Sequence, residues 1–174
     1  MRIILKQDNP ILREKAEPVS RSDFGSAWLK SLIIDMIEIM KDKGAVGIAA
    51  PQIGISKRII VFGTTYTKTR KIDEHIPDTV LINPTVKNLS EEIQTGYEGC
   101  LNTGELRGEV PRAMEIEYSG FDLNGNFIKK RASGLEARIL QHEVDHLDGF
   151  LFFDHIANHD SLITATELQK RLEL

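Results

Sequence analysis

The stretch QHEVDHLDG, residues 141–149, places two histidines four residues apart and a glutamate directly after the first. Together with apolar residues upstream, these side chains follow one helical face, at Leu135, Ile139, His142, Glu143 and His146. Because a buried polar group without a partner costs about 1–3 kcal/mol, three of them on an inward face need a common partner. Imidazoles one helical turn apart can bind one metal ion, and a glutamate beside the ion can act as general base for its water. The stretch therefore predicts a mostly buried, metal-binding helix.

Local signals give this helix its predicted ends. Ser133 and Glu136 form the sequence pattern of a capping box at its start, and Gly149 can end it. The side opposite the histidines is polar, with Arg138, Gln141, Asp145 and Asp148.

A metal site on this helix needs a third protein ligand. The extended motif HExxHxxGxxH is excluded, because its last histidine would fall on Phe152. Glu167 lies at a spacing tolerable for a zinc peptidase, although its surroundings, TATELQKRL, are typical of a solvated helix face. The remaining histidines, at 75, 155 and 159, are better explained as surface residues.

Cys100, in YEGCLN, is the other candidate for the third ligand. A thiolate and two imidazoles bind zinc or ferrous iron well and leave a fourth position for water, which a hydrolase needs. Taken alone, this cysteine would be interpreted as a buried, inert thiol. Its glycine neighbour and the HExxH helix elsewhere in the chain favour the ligand interpretation.

The rest of the chain predicts helices near both ends and strands in the middle. A stripe of apolar residues predicts a helix over 23–43, with Ser22 or Asp23 as its cap and Gly44 at its end. β-Branched runs and an alternating segment that turns at Asn124-Gly125 predict two strands and a hairpin, over 57–63, 79–84 and 113–132. Clustered strands between helices indicate an α+β fold.

Length and composition fit one soluble domain over residues 1–174. The 174 residues are 41% hydrophobic and 28% charged, with a net charge of -4 that disfavours nucleic acid or anionic membrane as a general partner. The N-terminus lacks the apolar run of a signal peptide, and other apolar runs are too short to span a bilayer. A single cysteine cannot form an internal disulfide, so we expect a cytoplasmic protein.

Three stretches, GIAAPQ (47–52), EGCL (98–101) and QHEVDHLDG (141–149), together resemble the signature motifs of the peptide deformylases in order and spacing. The resemblance implies an α+β fold with antiparallel β-sheets packed around a central metal-binding helix. It implies hydrolytic removal of the N-formyl group from the initiator methionine of new polypeptides. The implied cofactor is one divalent metal ion, usually Fe²⁺ in the cell, although Zn²⁺, Ni²⁺ or Co²⁺ can occupy the site.

The resemblance also implies roles for individual residues. The metal ligands would be Cys100, His142 and His146. Glu143 would take the proton of the metal-bound water and pass it to the leaving amine, while the side-chain amide of Gln52 and the backbone N–H of Leu101 would stabilise the oxyanion. Alternatively, Gln52 is a turn residue that only fixes its loop.

Substrate-binding residues follow in the same way. Gly47 and Gly99 would let an extended peptide approach, and Arg107 lies where the family has an arginine near the substrate. Side chains that would line a methionine pocket, or form plain core, are Val46, Leu135 and Ile139. Glu98 and Arg112 could pair and brace the cysteine loop. The alternative is that these residues and Arg107 are ordinary solvated charges.

Some positions depart from the family pattern. Ala45, Asn102 and Gly104 stand where the family has glycine, serine and often proline. The two that follow Leu101 motivate an alternative interpretation as a non-catalytic, metal-binding relative. N-formylmethionyl peptides are the expected partners. Transient ribosome association through a basic C-terminal helix is not supported, because the C-terminal segment is short and not basic.

Overall fold

The computed structural model describes residues 2–67 and 74–172. Within them the chain forms three α-helices, α1 (Ala27–Lys43), α2 (Gly134–Leu147) and α3 (Ala165–Leu172). The strands are β1 (Gly47–Ala49), β2 (Ile59–Phe62), β3 (Thr79–Asn88), β4 (Ile93–Glu98), β5 (Leu106–Ala113), β6 (Glu115–Phe121), β7 (Phe127–Ser133) and β8 (Ile163–Thr164). No helix in these two segments is both long and apolar enough to cross a bilayer.

The strands form two antiparallel sheets on either side of α2. One sheet has the order β1-β2-β3-β6-β7 and the other the order β4-β5-β8. Helix α2 packs against strands of both sheets, and α1 packs against β1 and β2. This arrangement confirms the α+β class and the central position of the HExxH helix.

At the short strand β2, the five-stranded sheet is buried on both faces. All four of its residues are buried, and successive side chains point to opposite sides of the sheet. Ile60 and Phe62 pack in a cluster with residues of α2, whereas Ile59 and Val61 pack with residues of α1. A continuous apolar run, rather than an alternating one, follows from this two-sided burial.

Helix α1 differs from the prediction at its start. It begins at Ala27, because the hydroxyl of Ser26 accepts the Leu29 N–H at 3.2 Å, and residues 21–23 form a 3₁₀ turn instead of the first helical turn. Its predicted end is confirmed by Gly44, which has a left-handed φ of 61°. The predicted apolar stripe packs against the sheet, although Ile37 is only partly buried.

The hairpin prediction is confirmed by β6 and β7, which pair from Glu115–Ser133 to Phe121–Phe127. In its turn the Asp122 carboxylate accepts the backbone N–H groups of Asn124 and Asn126 at 2.8 Å each. Strands β4 and β5 were not predicted. Strand β4 does not show a simple alternation of buried and exposed residues, because its first three residues are all exposed.

The start and the polar side of α2 also differ from the predictions. Ser133 makes no side-chain cap bond, and the Glu136 carboxylate instead accepts the Tyr118 hydroxyl at 3.2 Å. The polar side faces β5 rather than water, as shown by Gln141, whose side chain bonds the N–H and the carbonyl of Ala113 at 3.0 Å each. Helix α2 is therefore enclosed by protein on its polar side too.

Gly149, where the chain leaves α2, provides a test of this fold. It has φ +83°, and an added Cβ would lie 2.7 Å from the carbonyl oxygen of Arg13. Gly125 in the hairpin turn has the same φ, but there the nearest atoms belong to the Phe24 ring, at 3.6 Å. We expect Gly125→Ala to cost about 1 kcal/mol for the left-handed backbone alone, and Gly149→Ala to cost about 1–3 kcal/mol more for the collision. Urea unfolding of both variants measures the difference, and equal losses would contradict the described packing.

Candidate active site

A cleft of about 280 Å³ opens between α2, the segment that follows α1, and the loop after β4. Eleven of the predicted catalytic, metal-binding and substrate-binding residues line it: Val46, Gly47, Gln52, Gly99, Cys100, Leu101, Arg107, Leu135, Ile139, His142 and Glu143. His146 does not line the cleft and is only 1% exposed. Three motifs separated by up to 100 residues are thus brought to one place by the packing of α2 between the sheets.

Glu143 is a buried carboxyl group on the cleft side of α2. Its Oε2 has no hydrogen-bond partner, and burial raises its pKa to about 7, against a smaller lowering by His142. The carboxyl occupies the space beside Gly47, where an added Cβ would lie 2.8 Å from the Glu143 Cδ. Glycine is therefore required at position 47, because any side chain there would collide with Glu143. The sequence alone did not show this constraint.

The two histidines stand in different environments. Their rings lie 4.9 Å apart, nearly perpendicular. His142 Nδ1 is 2.9 Å from the Glu98 carboxylate, and this bond raises the pKa of His142 although burial alone would lower it. Both ring nitrogens of His146 are buried without a hydrogen-bond partner, and burial lowers its pKa well below the usual value. A neutral imidazole with no protein partner is available to a metal ion.

Glu98 is the centre of a buried network of charges. Arg112 donates from Nε and Nη2 to its two oxygens at 2.9 Å each, which confirms the predicted pair. Arg138 donates a third bond at 2.7 Å, and Arg112 also reaches Asp145 at 2.6 Å. Burial would raise the pKa of Glu98, but the bonds from Arg112 and His142 outweigh it and hold this pKa well below the ordinary range. No local sequence pattern indicated the role of Arg138, because its partners lie 28 to 44 positions away.

Cys100 lies at the edge of the cleft and is 9% exposed. Its Sγ is 3.5 Å from the Thr103 hydroxyl, and burial raises the pKa of the thiol. A thiol of this kind becomes a thiolate when a bound cation stabilises the charge. As the side chains stand, no three His, Cys, Asp or Glu residues in the described part of the chain are spaced to hold a metal ion. The complete ligand set therefore stays a prediction.

Gln52 and Arg107 complete the cleft. The Gln52 carboxamide accepts the Ala49 N–H at 2.8 Å and donates to Asn102 at 2.7 Å. Arg107 donates to the carbonyls of Gly104 and Leu106 at 3.1 and 2.8 Å. An added Cβ at Gly99 would lie 2.6 Å from Nη1 of Arg107, so this glycine leaves room for the arginine.

The rival third ligand lies elsewhere. Glu167 is on α3, about half exposed, and its carboxylate pairs with Arg171 at 3.4 Å. It is absent from the lining of the cleft. His75 and His159 are exposed, as expected for surface residues, and His155 is half-buried 3.2 Å from Asp145.

The donors at the cleft fit a divalent metal in chemical kind. His146 offers two unpartnered nitrogens, Cys100 a sulfur, and Glu143 an unpartnered oxygen that suits a base for activated water. Buried, unsatisfied polar atoms are rare in folded proteins, and a bound ion accounts for several of them at once. This combination of fold and side chains is that of an α+β metal-dependent hydrolase.

Comparisons with known proteins identify the family of hydrolases to which the chain is similar. The sequence matches the Polypeptide deformylase family over residues 1–161. It is 43% identical over 152 residues to peptide deformylase 2 of Pseudomonas putida, covering 87% of this chain and 85% of that protein. It is 39% identical to the chloroplastic peptide deformylase 1A of Solanum lycopersicum, covering 88% of this chain and 59% of that protein. A Met-Ala-Ser-bound peptide deformylase from Acinetobacter baumannii has a TM-score of 0.82 at 36% identity, covering 89% and 98% of the two chains.

The chain belongs to the peptide deformylase family. It is therefore an enzyme of a metal-dependent family that removes the N-formyl group from new polypeptides. This result favours the deformylase interpretation over the zinc-peptidase alternative.

The network around Glu98 generates a prediction about stability. Glu98→Gln leaves the buried Arg112 and the partly buried Arg138 short of a counter-charge, so we expect a loss of about 3–5 kcal/mol at pH 7 in the metal-free protein. Because the pKa of Glu98 is lowered by folding, its carboxylate contributes stability above the ordinary value of 4.5, and this contribution is lost as pH falls through the folded pKa. The difference between parent and variant should therefore shrink below about pH 4.5.

The matched control is Glu117→Gln, which removes an exposed pair with Lys129 on the hairpin. Urea unfolding at several pH values should show little change for this variant at any pH. A Glu98→Gln loss as small as that of the control at pH 7 would contradict the assigned network.

Proposed function

We propose that this deformylase acts through Cys100, His142 and His146 as metal ligands, Glu143 as proton carrier, and Gln52 with Leu101 as oxyanion donors. The observation that carries the proposal is the set of buried polar atoms without partners, both nitrogens of His146 and Oε2 of Glu143. They lie on the inward face of α2, next to the cleft that the other proposed residues line.

Ferrous iron is the metal we propose for the cell. A bound divalent ion would make water acidic enough to act near neutral pH and would draw charge from the formyl oxygen. Thiolate and imidazole ligands suit iron, zinc, nickel or cobalt, so the donor set supports each of them. Glu98 orients His142 by bonding its Nδ1, which leaves Nε2 for the ion.

Glu143 moves the proton. With a pKa of about 7, its carboxyl group is partly ionised at neutral pH, so it can take a proton from water. The same group then returns that proton to the nitrogen of methionine when the C–N bond to the formyl carbon breaks. Formate and a free amino terminus are the products.

Negative charge develops on the formyl oxygen during this reaction. The Gln52 amide nitrogen carries two hydrogens, one of which bonds Asn102, so the second is available to that oxygen. The backbone N–H of Leu101, next to Cys100 in the cleft, is the second proposed donor.

The substrate is a peptide that begins with formyl-methionine. We propose that its backbone extends along Gly47 and Gly99 beside Arg107, and that its methionine side chain contacts Val46, Leu135 and Ile139, all of which line the cleft. A solved relative from Acinetobacter baumannii is bound to Met-Ala-Ser, which supports a peptide that begins with methionine as the ligand.

We place the protein in the cytoplasm. Its lone cysteine and its bacterial relatives support this location, and the chloroplastic tomato relative names an organelle as the alternative.

Glu143 allows a direct test of the chemistry. We expect Glu143→Gln to lower kcat on formyl-Met-Ala about 100-fold to 10,000-fold, because the amide keeps the size of the side chain but cannot carry the proton. Formate release by anaerobically iron-loaded protein gives kcat, and metal analysis confirms equal loading.

The control for this test is Glu136→Gln, on the first turn of the same helix and outside the cleft. It should turn over at the parent rate. Parent-like kcat in metal-loaded Glu143→Gln would overturn the assignment of the proton carrier.

A further inference from the structure

Asn102 follows EGCL at the position where the resembled family has serine, and no role has been given to it. It is 7% exposed and lies in the 3₁₀ turn Leu101–Thr103, directly after Cys100. Its side chain makes three hydrogen bonds, which connect three separate segments of the chain.

One of these bonds reaches the proposed oxyanion donor. Oδ1 of Asn102 accepts a hydrogen from Nε2 of Gln52 at 2.7 Å. Nδ2 of Asn102 donates to the carbonyl oxygens of Leu5 and Gln52, at 2.6 and 3.3 Å. The Leu5 N–H also donates to the Gln52 carbonyl at 2.9 Å. The N-terminal segment therefore bonds both Asn102 and the backbone of Gln52.

Backbone atoms at both ends determine how the two amides are turned. The Ala49 N–H can only donate, and it faces Oε1 of Gln52 at 2.8 Å. The carbonyls of Leu5 and Gln52 can only accept, and they face Nδ2 of Asn102. Turning either amide over would set donor against donor or acceptor against acceptor and leave buried polar groups unpaired, which is unfavourable.

The fixed orientation of the two amides leaves Gln52 with one unused hydrogen. Its amide nitrogen has two, and Asn102 takes one, so the other is the donor left for a molecule in the cleft that Gln52 lines. A serine hydroxyl at 102 has one hydrogen and a shorter reach, so it cannot donate to the two carbonyls that Asn102 bonds at once.

We propose that Asn102 is a positioning residue that fixes the Gln52 carboxamide, so that its free N–H is aimed at the formyl oxygen where charge develops. The proposal rests on the oxyanion role proposed for Gln52. Preorganised donors lower the barrier only when they are already oriented, so the effect belongs to the chemical step rather than to substrate binding.

A double-mutant cycle on the iron-loaded enzyme tests this role. Asn102→Ala should lower kcat on formyl-Met-Ala about tenfold and leave KM within about twofold, a smaller effect than removal of a whole oxyanion donor. In a Gln52→Ala background, the same substitution should change kcat by less than about twofold, because its target is gone. If the alanine variant fails to fold, Asn102→Ser replaces it, because serine keeps an oxygen near the site. Its effect on kcat is then compared in the parent and in the Gln52→Ala background.

Asn83→Ala is the matched control. Asn83 also joins a backbone N–H and a carbonyl, those of Val19 at 2.8 and 2.9 Å, but outside the cleft. Its loss should lower the thermal midpoint and leave kcat unchanged, which separates stability from positioning.

Three results would overturn the proposal while the parent enzyme remains active. These are an unchanged kcat in Asn102→Ala, an equal loss of kcat with and without Gln52, and a loss confined to KM. Absence of turnover by the parent enzyme would instead count against the proposed function itself.

Discussion

The carboxylate of Glu98 joins the two halves of this molecule. It lies at the end of β4 in the three-stranded sheet and bonds Arg138 and His142 on α2 and Arg112 on β5. A buried charge is tolerated only when partners surround it, and here the partners come from the elements that must meet to form the cleft. The same interaction that holds α2 against the sheet also sets the ring orientation of His142 and the position of the loop that carries Cys100.

Elements with strong local signals could be predicted from the sequence. The inward face of α2, the hairpin around Asn124-Gly125 and the end of α1 at Gly44 each follow from periodicity or turn chemistry within a few residues. The capping box at Ser133 was wrong, since Glu136 bonds Tyr118 from a neighbouring strand instead. Strands β4 and β5 were missed because their pattern depends on a partner sheet and helix rather than on local alternation.

The site divides in the same way. Residues whose chemistry is unusual for their surroundings, such as the histidines of α2, could be found from the sequence, which also offered Cys100 as a candidate ligand. The resemblance to the deformylases added the role of Gln52. Arg138 could not, because it was indistinguishable from a solvated charge until β4 and β5 were in place. Asn102 appeared only as a departure from the family, and its bonds to Leu5 and Gln52 join positions 97 and 50 residues apart, respectively.

The account depends most on one sulfur and two imidazole nitrogens meeting at a single ion. X-ray absorption spectroscopy of the zinc-loaded protein measures that arrangement directly, because sulfur and nitrogen scatter at different distances. We expect one sulfur at about 2.3 Å and two histidine nitrogens at about 2.0–2.1 Å, with an oxygen from water completing a tetrahedral shell. A shell of nitrogen and oxygen alone, with no sulfur, would contradict the role of Cys100 and the site built on it.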